Sequence, residues 1–168
     1  GMVLQLLQRY AVSGGAAATV EEGVKLMMLD QGLGVCEQVL SWSFAVYQSE
    51  RQGDAPGGTA ASGRFRGGVE WQPTLLGEGV VPVFVRLYQI LRLHESQAHR
   101  CQQCLIQLAG TAPTFVDPAA RRQYLGSYVQ AVVQLLDTTM PLIAKSPAGH
   151  GPGAEMLGFS TMLGRLVG

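Results

Sequence analysis

The chain is poor in charged residues. Asp, Glu, Lys and Arg make up only 14% of its 168 residues, whereas about a quarter is usual for a soluble domain. Acidic and basic residues balance at 12 each, so the formal net charge is zero. A neutral chain lacks the basic surface with which proteins bind nucleic acid or an anionic membrane, so neither partner is expected.

Cysteine and long apolar runs are also scarce. An odd set of three cysteines does not suggest a disulfide framework. A reducing compartment, the cytosol or the nucleus, is the simplest interpretation. No stretch reaches the roughly 18 uninterrupted apolar residues of a membrane span. The first residues also lack the basic region that opens a signal peptide, and no membrane insertion is expected.

Strand-like alternation of apolar and polar residues is absent over more than about four residues, which argues against a sheet. Helical periodicity is present instead, in a chain that is 47% hydrophobic. The pattern predicts six helices, at residues 2–12, 21–47, 74–93, 96–110, 119–139 and 154–167. Taken in order they form three antiparallel pairs, and the fold class is therefore all-α, a HEAT-like helical-repeat solenoid.

The clearest helix–turn–helix spans residues 100–136. Gly110 ends its first helix, and Asp117 is an N-cap acceptor followed by Pro118, which is tolerated in a first turn. Each helix has one apolar stripe; the stripes are Cys101, Cys104, Leu105, Leu108 and Ala109, then Leu125, Tyr128, Val129, Val132 and Leu136. Two such helices cannot bury both stripes alone, so further helices of the same kind must cover them.

Two features concern the domain organisation. Residues 48–73 are rich in Gly, Ala and Ser, which predicts a flexible loop insertion. Neither end of the chain looks like a capping repeat, so residues 1–168 are expected to be one helical-repeat segment inside a longer protein. Pro82 near the start of the third helix favours a true beginning at Gly79 or Val80.

Three runs carry a family resemblance: residues 104–136 (CLIQLAG followed by TAPTFVDPAARRQYLGSYVQAVVQLL), residues 38–44 (QVLSWSF), and residues 70–76 with Glu70-Trp71 and Thr74-Leu75-Leu76. In their order along the chain, 38–44, 70–76 and 104–136, they resemble the exportin-4-like nuclear transport receptors of the importin-beta, or karyopherin, superfamily. The resemblance covers roughly residues 35–165 and is interrupted at residues 48–70, where an insertion is expected.

The resemblance implies a receptor without enzymatic activity or cofactor. Such a receptor binds protein cargo together with Ran-GTP, meets nuclear pore proteins and shuttles between nucleus and cytoplasm. If one helix of each pair lines the concave side of the solenoid, then Gln102, Gln103 and Gln107 are candidate protein-binding residues. A generic HEAT or armadillo-like scaffold without a transport role is the alternative.

No pattern predicts a catalytic or metal site. Cys101 and Cys104 lack the second ligand pair of a zinc site and the preceding strand of a redox site, so they are expected to pack in the helix stripe. Gly158–Met162 begins like a nucleophile elbow but lacks its closing glycine and its strand. One further alternative is a nucleic-acid module using Arg64–Gly68, where arginine and phenylalanine could stack on unpaired bases.

Overall fold

The computed structural model describes residues 2–13, 20–41, 71–77, 79–111, 115, 117–145 and 152–167. These residues form seven helices and no strand, which confirms the predicted all-helical class. The helices are α1 (Met2–Ser13), α2 (Val20–Ser41), α3 (Gln72–Leu76), α4 (Val80–Leu91), α5 (Glu95–Ala109), α6 (Pro118–Ala144) and α7 (Pro152–Val167). In this described part, none is both long and apolar enough to cross a membrane.

The third predicted helix is divided in two. The chain forms α3 and α4 in place of one helix over 74–93, and a turn at Gly79 separates them. Gly79 has a φ of 119°, a left-handed conformation that favours glycine. The helix α4 therefore begins at Val80, one of the two starts that Pro82 suggested.

The predicted loop is shorter at its carboxyl end than the sequence indicated. Gln72 and Pro73, the last residues of the predicted 48–73 loop, form the first turn of α3, and proline is tolerated there. The remainder of that loop, up to residue 70, and the last six residues of the predicted 21–47 helix lie outside the described residues.

The start of α6 follows the predicted cap. The Asp117 carboxylate accepts hydrogen bonds from the backbone N–H groups of Ala119 and Ala120, both at 3.1 Å. The helix then continues past residue 139 to Ala144 and includes Pro141. The predicted end at residue 139 is therefore five residues too early, and the helix tolerates Pro141 although a proline inside a helix removes one backbone hydrogen bond.

The helix α4 is the apolar centre of the fold. Eight of its 12 residues are buried, and it packs against α1, α3, α5 and α6. Its run of valines favours a strand by intrinsic propensity. Burial on several sides stabilises the helix instead, since each fully buried Leu or Phe contributes about 2 kcal/mol.

The main helices lie in two rows. The first row contains α1, α4 and α6, and the second contains α2, α5 and α7. Each helix packs on its neighbour in the same row, and the α4–α5 contact joins the rows. Of the three predicted pairs, only α4–α5 is a principal contact. The helices α1 and α2 touch sparingly, and α6 and α7 pack mainly on α4 and α5 respectively.

Hydrogen bonds define the helix directions. Gln102 of α5 donates to the Glu155 carbonyl of α7 at 3.1 Å, and further along both helices Arg165 donates to Gln107 at 3.0 Å. The later residue of α5 meets the later residue of α7, so α5 and α7 run parallel. The three residues that join α4 to α5 make that pair an antiparallel hairpin.

Three helices keep a second apolar stripe on the surface. The stripes are Val24, Met28 and Val35 on α2, then Val129, Val133 and Met140 on α6, and Met156 and Leu163 on α7. Their spacing of four or seven residues places each set on one helical face. The stripes lie on helices at the ends of the rows, where no further described helix covers them.

Gly158 allows α7 to approach α5 closely. This glycine is buried, and a β-carbon at its position would overlap the side-chain amide of Gln102. Gln102 is itself only 5% exposed and holds the Glu155 carbonyl. The amide thus fills the space that the missing side chain leaves.

Replacing Gly158 with alanine should lower the free energy of unfolding by about 1–2 kcal/mol, because the buried Gln102 amide must abandon its hydrogen bond. In a Gln102→Ala background the same change should raise it by up to about 1 kcal/mol, since alanine is the better helix former. Urea unfolding measures both. Gly126→Ala, at an open position inside α6, should be stabilising in both backgrounds. Equal effects of Gly158→Ala in the two backgrounds would exclude the amide as the obstacle.

The exposed stripes predict self-association of the purified chain at tens of micromolar. In a pure sample, the stripes of a second copy are the apolar surface that can cover them. The double substitution Val133→Glu and Met140→Glu should lower the weight-average mass measured by light scattering. Leu93→Glu serves as the matched control, since Leu93 is 89% exposed in the α4–α5 turn and belongs to no stripe. A monodisperse monomer for the unmodified chain contradicts this expectation.

Candidate protein-binding groove

A surface groove lies between α4 and α6, the last two helices of the first row. Its volume is about 460 Å³, within the range of about 300–1,000 Å³ that is usual for ligand sites. Because α4 and α6 are both antiparallel to α5, they run parallel to each other. The two walls of the groove therefore have the same chain direction, from amino to carboxyl end.

The tyrosines of α6 hold it antiparallel to α5. Tyr128 donates its hydroxyl to the Leu105 carbonyl at 2.7 Å, and Tyr124 donates to the Leu108 carbonyl at 2.8 Å. The later tyrosine meets the earlier carbonyl, which is the antiparallel order. Burial raises the pKa of both hydroxyls above the ordinary value, so they remain protonated donors.

The groove is lined by apolar and by polar residues. Its apolar lining is Pro82, Val85 and Ala131, of which Val85 is buried and Pro82 is exposed. At one end the Gln89 amide donates to the Thr138 hydroxyl oxygen at 3.1 Å. The Thr138 hydroxyl donates its own proton to a backbone carbonyl of α6, so its oxygen can accept this bond.

Two opposite charges line the groove, one on each wall. Arg86 lies on α4 and Asp137 on α6, and both side chains are exposed. Neither has an ion-pair partner among the residues that the structure describes. The groove thus offers one cation and one anion to a ligand, together with the amides of Gln89 and Gln134.

A charged clamp ties the opposite side of α4 to α7. Arg92 donates to both carboxylate oxygens of Glu155, from Nε at 2.8 Å and from Nη2 at 3.0 Å. Tyr88 donates to the same carboxylate at 2.6 Å. Burial, and then the bond to Glu155, raises the pKa of Tyr88 above its ordinary value, so the hydroxyl stays protonated. Two-point contact through a planar guanidinium fixes the relative position of the helices.

A second set of polar contacts joins α2 to α5. Arg100 lies 3.2 Å from Asp30 and 3.3 Å from Glu37, measured between guanidinium nitrogen and carboxylate oxygen. Gln97 also donates to Asp30 at 3.3 Å. These groups are partly exposed, so they contribute more to the alignment of the two helices than to stability.

The three glutamines predicted to bind a partner lie elsewhere, on α5. Gln102 is buried against α7, and its proposed exposure on a concave face is wrong because the amide satisfies the Glu155 carbonyl. Gln107 is half-buried and accepts a hydrogen bond from Arg165. Gln103 is half-buried, and a partner contact there stays a prediction.

The groove residues were missed by the sequence analysis. A signal for them exists, since Arg86 and Gln89 interrupt an otherwise apolar helix and lie three residues apart, on one face. The sequence does not say that α6 is the helix beside them. Arg64–Gly68, the alternative nucleic-acid loop, lies outside the described residues.

The cysteines of α5 pack in the core, as predicted. Cys101 and Cys104 are fully buried, and burial raises the pKa of Cys101 to about 12 and that of Cys104 well above the usual value. Both are therefore neutral thiols near pH 7. Among the described residues, no group of three or more His, Cys, Asp or Glu side chains could hold a metal ion.

Comparisons with protein families, with curated proteins and with solved structures find no significant match to this chain.

Replacing Glu155 with glutamine should lower the free energy of unfolding by about 1–3 kcal/mol, because the ion pair between Glu155 and the largely buried Arg92 side chain is lost. Glu95→Gln is the matched control. Both glutamates lie in the first turn of a helix, so both substitutions lose the same dipole interaction, but Glu95 is exposed. Denaturant unfolding compares the two. Equal losses of unfolding free energy in the two variants would mean that the contacts of Glu155 with Arg92 and Tyr88 add nothing beyond its interaction with the helix dipole.

Proposed function

We propose that this chain is a HEAT-like segment of a nuclear export receptor, which binds protein cargo together with Ran-GTP and carries it through the nuclear pore. The observation that carries the solenoid part is the two-row arrangement. In a solenoid each antiparallel pair stacks on the next, so that first helices meet first helices and second helices meet second helices. The contacts α1–α4–α6 and α2–α5–α7 follow this order.

The exposed apolar stripes support the same architecture. They lie on α2, α6 and α7, which end the rows. In a longer stack a further helix pair would cover each end, just as α4 and α5 are covered inside this segment. The low charge content of 14% agrees with a segment whose flanks are covered by more chain.

The export role is supported by the resemblance to exportin-4-like receptors. In the structure its longest run, residues 104–136, includes the end of α5 and most of α6. The buried residues of that run include Leu105, Leu108 and Tyr128, which pack between helices. The resemblance therefore supports the receptor's scaffold, and the partners follow from the family: Ran-GTP, protein cargo and nuclear pore proteins, with shuttling between nucleus and cytoplasm.

The mechanism is conformational and requires no catalytic residue. A stack of helices bends when neighbours in a row shift slightly against one another, and small shifts add along its length. A partner that binds one curvature better shifts the population toward it. In this segment the row contacts combine apolar packing with the Gln102–Glu155 and Gln107–Arg165 bonds, so the register between helices is retained while the angle changes.

A generic protein-binding scaffold is the second candidate. The groove between α4 and α6 favours it directly. Its charges, Arg86 and Asp137, form no ion pair with any other described residue, and together with the apolar lining they suit a protein ligand without any link to Ran. Both candidates share the helical-repeat fold and differ in their response to the nucleotide state of Ran.

The test is a pull-down in which this protein, tagged and isolated from its own cells, captures Ran. Ran locked with GTP should be retained at least several-fold better than Ran locked with GDP. Equal retention of the two forms, or none, contradicts the export proposal and leaves the scaffold. Adding a vast excess of untagged protein is the control for nonspecific capture.

A further inference from the structure

The groove between α4 and α6 is specific enough in its chemistry to define a ligand. We propose that it binds an extended protein segment that presents an apolar, an acidic and a basic side chain at alternate positions, with the acidic one in the middle and either chain direction allowed. This inference rests on the proposed protein-binding function and names the chemistry of one partner segment.

The groove has three levels, about one helical turn (~5.4 Å) apart. The Gln89–Thr138 hydrogen bond sets the register between the two parallel helices. One and two turns earlier on α4 are Arg86 and Pro82. Read from that end, the levels are Asp137 with Thr138, Arg86 with Gln134, and Pro82 with Ala131. The groove is thus anionic, then cationic, then apolar along its length.

An extended chain fits this spacing. Alternate side chains of a strand point to the same side and are about 6.6 Å apart, close to the rise of one helical turn. A basic side chain then meets Asp137, an acidic one meets Arg86, and an apolar one meets the apolar lining at Pro82 and Ala131. A helix as ligand is disfavoured, since it is about 10 Å across and the groove is a crease between two packed helices.

The glutamines supply contacts for the ligand backbone. A side-chain amide has both donors and an acceptor, as a peptide group has. Gln134 is exposed on the wall of α6, and its amide makes no hydrogen bond to any other described residue. It can therefore pair with a peptide group of the bound segment at the level of Arg86.

The experiment uses fluorescein-labelled peptides and fluorescence anisotropy at low salt. The probes are Leu-Ala-Glu-Ala-Lys and its reverse, Lys-Ala-Glu-Ala-Leu, because either chain direction satisfies the order of the three levels. Their comparison peptides exchange the glutamate and the lysine. The matching protein variant exchanges the two wall charges, Arg86→Asp with Asp137→Arg, which leaves the net charge unchanged.

At least one probe should bind the unmodified protein about tenfold more tightly than its exchanged counterpart, because each of two exposed ion pairs contributes up to about a factor of five. In the charge-exchanged variant this preference should invert. Arg121→Asp, an exposed change in the first turn of α6 outside the groove, should leave the preference as it was. Both wall residues are exposed, so the variant is expected to fold, and circular dichroism verifies this.

Failure of all four peptides to bind, equal binding of a probe and its exchanged counterpart, or an unchanged preference in the variant overturns the inference. None of these results affects capture of Ran-GTP. Peptide failure with Ran-GTP retained rejects the groove alone, and peptide binding without Ran preference rejects the export role alone.

Discussion

The packing of α4 against α5 is the contact on which the rest of the structure depends. It joins the two rows, and every other described helix attaches to one of these two. The contact is apolar throughout its centre, with Leu87, Cys101 and Leu105 fully buried. Apolar burial is strong but not directional, so this packing holds the helices together without deciding how far each slides along the next.

Polar contacts between packed helices determine how the helices are aligned along one another. The Gln102 amide and Arg92 each donate a hydrogen bond to Glu155 of α7, and the tyrosines of α6 donate to carbonyls of α5. A shift of α7 by one turn would break the Gln102 and Arg92 contacts with Glu155, and a shift of α6 would break those of its tyrosines with α5, at a cost of about 1–3 kcal/mol for each unsatisfied group. Their contribution is therefore to exclude alternative arrangements of helices whose apolar stripes are similar.

Several elements followed from the sequence because their signals are local. The Asp117 cap, the Pro118 start and the apolar stripe of α5 depend on residues a few positions apart. The division at Gly79 was partly visible, since Pro82 marked the later start. The packing of α6 on α4 could not be predicted from the sequence, because an apolar stripe shows that a helix is covered and does not show by which helix. Gln102 was misplaced for the same reason: a polar residue on α5 looks exposed until Gly158 of α7 is known to lie against it.

The two kinds of surface that remain suit two kinds of partner. The stripes on α2, α6 and α7 are apolar, and leaving them in water costs free energy at all times, so a permanent neighbour such as another helix pair is the favourable cover. The groove is different, because Arg86, Asp137 and the glutamines are hydrated when it is empty. A ligand there replaces water bonds with similar bonds, which yields modest affinity and ready release. The receptor that we propose must load and unload its partners, and that role needs the second kind of surface in addition to the first.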